Sequence, residues 1–90
     1  MDVDDRYLDV LEAIYKRDPL RFIQPKSLFD GLKLKMDELE LGDILKILGE
    51  NGYVENWTGT ASSQSLPNGI YDVRLTAKGG MLLRNNKRIK

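Results

Sequence analysis

Ninety residues suffice for one domain with a modest core and leave no room for a second. Fourteen basic side chains are matched by fourteen acidic ones, so no global positive field draws the chain to nucleic acid or to anionic lipid. Cysteine and histidine are both absent, which excludes disulfides, Cys-His and Ser-His catalysis and leaves zinc without its usual ligands, so no cofactor is expected. The acidic start, Met1 to Asp5, is followed by no apolar run of signal-peptide or membrane-spanning length, and a cytoplasmic location is the expectation.

Along the chain, Tyr7, Leu8, Leu11, Ile14 and Tyr15 recur at three- and four-residue spacing and predict a first helix over Asp4 to Lys16, ended by Asp18-Pro19. Leu20 to Ile23 suits an edge strand or an extended apolar anchor. Gln24-Pro25-Lys26-Ser27-Leu28-Phe29-Asp30-Gly31 sets proline at a first helical position and glycine at a stop, so a short second helix is expected there. Leu32-Lys33-Leu34-Lys35 then reads as a turn. Asp37-Glu38-Leu39-Glu40 has the spacing of a capping box and opens a third helix that runs to about Asn51, with Leu41, Ile44, Leu45 and Leu48 inward and Gly52 as a left-handed stop.

Tyr53 to Trp57 and Ile70 to Leu75 are rich in strand formers and predict an antiparallel pair, with Tyr71, Val73 and Leu75 on one side and Trp57 meeting Tyr71 across it. The serine- and threonine-rich stretch Thr58 to Gly69 joins them, its last turn formed by Pro67-Asn68-Gly69. Thr76 caps a final short helix to about Arg84, weakened by Gly79-Gly80. The domain is therefore placed at residues 1–84. Residues 85–90, basic and without apolar periodicity, are expected to be a disordered tail.

Two patterns carry a family resemblance: Leu45-x-x-Leu48-x-x-x-Gly52-Tyr53-Val54, and Val73-x-Leu75-Thr76-x-Lys78-Gly79. The first resembles the end of a recognition helix entering the first wing strand of MarR-like and PadR-like regulators, and the second is similar to the junction that follows their wing. The resemblance implies an α+β fold of the winged helix-turn-helix kind: a three-helix core, a two-stranded antiparallel β-wing and a short C-terminal helix. It also implies a DNA-binding transcription regulator, in which the third helix enters a groove and the wing touches phosphate.

The charges divide two functional readings. Lys26, Ser27, Lys33, Lys35, Arg74 and Lys78 fall on the backbone-contacting side of such a domain, and Lys46 on the third helix, so these seven are the candidate nucleic-acid contacts. Taken singly, each lysine is more simply a solubilising surface charge. The outer face of the third helix carries Leu39, Gly42, Asp43, Lys46 and Glu50, flanked by Glu40 and Ile47, an acidic surface with apolar spots that DNA repels. The alternative is a protein-interaction module built on Leu39, Asp43, Lys46, Ile47 and Glu50, though half of the weight for the acids belongs to an ordinary solvated helix face. DNA, a protein partner and a homodimer are the partners in play. No carboxylate pair has a base or cleft beside it, so no enzyme is expected.

Overall fold

The computed structural model describes residues 4–29, 34–59 and 65–90, and within them the chain folds as α+β with three α-helices and one two-stranded antiparallel sheet. Helix α1 spans Asp5–Arg17. Asp4 caps it by accepting the Arg6 N–H at 2.8 Å, and its buried stripe is Leu8, Val10, Leu11, Ala13 and Ile14. Past its end, the Asp18 carboxylate accepts the N–H groups of Leu20 and Arg21, and the bond from Leu20 foremost holds it below the ordinary aspartate value.

Helix α2, Glu38–Glu50, begins as its capping residues require: Asp37 accepts the Glu40 N–H at 2.8 Å. Its inward line of Leu41, Ile44, Leu45 and Leu48 packs on α1, and Gly52, at φ 79°, turns the chain into the sheet. Strands β1 (Val54–Thr58) and β2 (Ile70–Leu75) pair antiparallel, with a bulge between Trp57 and Thr58. Ile23 adds a single bridge to Val73 on the far side of β2, exchanging both backbone bonds with it. Helix α3, Ala77–Asn85, is capped by Thr76, whose hydroxyl accepts the Gly79 N–H at 3.1 Å. Leu8, Leu11, Ile14, Leu28, Leu41, Leu45, Leu48, Val54, Val73 and Leu75, the residues expected in the core, are all buried, and Leu66, Ile70 and Leu83 join them.

Three expectations need correction. The second helix, over its described residues Pro25–Phe29, is a 3-10 rather than an α-helix, and Pro25 and Leu28 are its buried side chains there. Trp57 does not meet Tyr71: the register that pairs Val54 with Leu75 sets Trp57 opposite Asp72, the bulge that follows leaves Tyr71 without a partner on β1, and the Trp57 ring stands edge-on to Phe22 at 5.6 Å.

The third correction is the C-terminus. Lys87 adopts φ 59° and the Arg88 N–H reaches back to the Leu83 carbonyl at 2.8 Å, a left-handed helix stop that turns the chain toward α1. Arg88 then lies among Asp5, Asp9 and Glu12, at 3.6, 2.7 and 3.4 Å, while Ile89 packs against the core. The tail is thus fastened to the first helix rather than hanging free. Lys16 first, with Arg88 adding to it, holds the Glu12 carboxyl below its ordinary value, against a partial burial that works the other way. A depressed carboxylate stabilises fully above its unfolded pKa of about 4.3, and that contribution is lost as pH falls through the lower folded value. Arg88→Ala is therefore expected to lower the melting temperature near neutrality and to differ less from the parent in acid below about pH 4. A constant difference across that range would show that the Arg88 ion pairs do not hold the tail.

Candidate functional site

The hairpin is held against α2 by two amides at places where the helix lacks a Cβ. Asn68 donates from Nδ2 to the Gly42 carbonyl at 2.8 Å, and Asn56 donates to the Leu45 carbonyl at 2.8 Å while packing on Gly49. A methyl group at either glycine would collide with the asparagine amide it receives. Gly42 is consequently buried and is not part of the outer face on which it was expected. Asn56 Oδ1 is buried and accepts no hydrogen bond among the described residues.

Between α2 and β1 runs a groove of about 660 Å³ lined by Lys46, Glu50, Glu55, Asn56, Trp57 and Asn68, among others. Of the five proposed interaction residues Lys46 and Glu50 line it; on α2 Leu39, Asp43, Lys46 and Glu50 are exposed and Ile47 is half-buried. Leu39 is 65% exposed and Trp57 51%, large apolar areas to leave in water. Neither Lys46 nor Glu50 has an ion partner among the described residues.

The cations assigned to nucleic acid are placed differently. Lys26 pairs with Glu38 at 3.4 Å, and Ser27 donates its hydroxyl to the Gln24 carbonyl at 2.6 Å. Arg74 donates to Glu55 at 2.8 Å and lies over the Phe22 ring, 4.7 Å from its centre. Lys78 donates to the Asn51 carbonyl at 2.7 Å and covers the Tyr53 ring at 4.7 Å, so its ammonium serves the end of α2, where the helix dipole is negative. Lys35 is exposed and lies near α1 rather than near the groove, in a cleft shared with Arg6, Asp9, Glu12 and Lys16. Lys33 lies outside the described residues.

Sequence reasoning missed Phe22, Asn56 and Asn68. Tandem Asn-Gly at 68–69 reads as turn chemistry, and nothing in its spacing announces that the amide reaches the helix 26 positions earlier. Among the described residues no helix is long and apolar enough to cross a membrane. No family model, curated protein or solved structure matches this chain.

Proposed function

We propose that the chain is a winged helix-turn-helix domain that works without catalysis, as an interaction module docking a protein on the α2–β1 face. The element order supports the architecture: α1, a short helical turn, α2, and a hairpin whose second strand also bridges Ile23. One observation carries the choice of partner. The cations that would touch phosphate at Lys26, Arg74 and Lys78 are bound to carboxylates or carbonyls of their own chain, while Leu39, Asp43 and Glu50 stand exposed on the helix that would enter a groove. Breaking each internal pair to reach DNA would forfeit the bond it already makes, and acids at a duplex surface are repelled. Apolar anchors beside charges gain by desolvation against a protein, and the charges select the partner.

A second reading, a DNA-binding transcription regulator, is favoured by Lys35 and Lys46, which have no carboxylate partner among the described residues. Duplex anisotropy titrated with salt separates the two, with the double variant Asp43→Lys, Glu50→Lys beside the parent. The interaction reading expects no duplex binding by the parent at about 10⁻⁴ M in low salt, the weak end of non-specific affinity. It also expects the immobilised variant to lose proteins that the parent captures from a cell extract. Duplex binding by the parent that strengthens in the variant, with capture unchanged, would overturn it in favour of the regulator.

A further inference from the structure

The groove between α2 and β1 opens on a strand edge, and the backbone bonds decide what that edge offers. Val73 gives both its N–H and its C=O to Ile23, at 2.9 and 2.8 Å. In an antiparallel ladder a residue points both groups to one side, and the side alternates. Asn56, which faces Val73 across the hairpin, therefore points its own pair away from β2. The same phase holds at both ends of β1, where the Thr76 N–H donates to the Tyr53 carbonyl at 3.2 Å and the Gly59 N–H to the Gly69 carbonyl at 3.1 Å. Residues 53, 55, 57 and 59 thus turn toward β2, and Val54, Asn56 and Thr58 turn outward. Among the described residues none of those three has a backbone bond to an element outside the hairpin; Thr58 is exposed, Asn56 half-buried and Val54 buried. The strand carries neither proline nor lysine, the residues that commonly block such an edge.

We propose that β1 pairs antiparallel with β1 of a second copy of this chain, about a two-fold axis at Asn56. The proposal rests on the interaction reading and names its partner. Laid this way, Asn56 meets Asn56 and Val54 meets Thr58, so every outward N–H finds an outward carbonyl and the two hairpins make one four-stranded sheet. The two α2 helices then lie antiparallel on the same face of that sheet. Asn56 also fixes where the axis passes them, because its amide sits on the turn between Leu45 and Gly49. Lys46 and Glu50 flank that turn, line the groove and lack partners of opposite charge inside the chain. A two-fold axis brings Lys46 of one copy to Glu50 of the other, twice, as a self-complementary interface requires. On the opposite face of the strands, Trp57 of one copy stands beside Glu55 of the other in a close, non-bonded pair.

Seven residues a side fall short of a standard interface of about 800 Å² per partner, so the dimer forms in the range of about 10⁻⁵ to 10⁻³ M. Sedimentation equilibrium on the full chain over that range tests it. Lys46→Glu and Glu50→Lys, both on exposed side chains, are each expected to raise the dissociation constant roughly five- to tenfold, with folding checked by circular dichroism. The double swap is expected to return it to within about twofold of the parent. Amide exchange at Asn56 should slow with concentration while that at Glu55 stays constant. A chain monomeric at about 10⁻³ M, or a double swap no better than the single changes, or a dimer with unchanged exchange at Asn56, overturns the proposal. Those failures leave the interaction reading standing, since that reading falls on duplex binding and not on self-association.

Discussion

Leu45→Ala is expected to lower the unfolding free energy by about 2 to 5 kcal/mol, the cost of lost methyl groups plus the cavity they leave. Leu45 is fully buried at the centre of α2, between α1 and the hairpin. Its carbonyl receives the Asn56 amide, but that bond uses the backbone and survives the substitution, so the loss reports packing alone. Against a total of about 5 to 15 kcal/mol for a domain, the variant is close to unfolding at 37 °C. Leu39→Ala, on the same helix but exposed, is expected to stay within about 0.5 kcal/mol of the parent. Urea unfolding followed by circular dichroism checks both, with a shifted midpoint and an unchanged slope expected for Leu45→Ala. Equal midpoints for Leu45→Ala and the parent would mean that α2 presents a different face to the core.

What could be read in the chain beforehand follows from how local the physics is. Periodicity, caps and stops act over a few residues, and the first helix, α2, both strands and the Thr76 cap are placed nearly where those signals put them. The elements that moved depend on distant partners. The second helix begins at Pro25, as its proline requires, but its described residues wind as 3-10 rather than α turns, with Pro25 and Leu28 its only buried side chains there. Arg88 belongs to the fold because three acids on α1 wait for it, and a basic tail looks the same in sequence whether or not they do. The candidate site divides in the same way. Spacing on one helix gathered Leu39, Asp43, Lys46, Ile47 and Glu50 onto a single surface, as 3.6 residues per turn dictates. Whether a cation is available to a ligand is a question about neighbours, and Lys78 and Arg74 already have theirs.

The adjacent glycines of α3 separate those two kinds of information and give the second large effect. By helix propensity alone both weaken α3 by about 1 kcal/mol relative to alanine, so replacing either ought to help. Gly79, however, is buried where α3 crosses the start of the sheet: a Cβ there would drive into the Tyr53 carbonyl oxygen and stand 2.8 Å from Leu75 Cδ1. Backbone cannot step aside as a side chain can. The Tyr53 carbonyl also accepts the Thr76 N–H at 3.2 Å, so relieving the clash by sliding α3 would break the bond beside its cap. Gly79→Ala is therefore expected to destabilise by about 1 to 3 kcal/mol, overpacking exceeding the gain in propensity. Around Gly80 a Cβ meets nothing within 4 Å, and Gly80→Ala is expected to stabilise by up to about 1 kcal/mol. At roughly 4 to 8 °C per kcal/mol for a domain of this size, the two melting temperatures should move apart on either side of the parent. If Gly79→Ala melts above the parent as Gly80→Ala does, α3 does not rest on the Tyr53 carbonyl, and the packing that joins α3 to the hairpin is different from the one described.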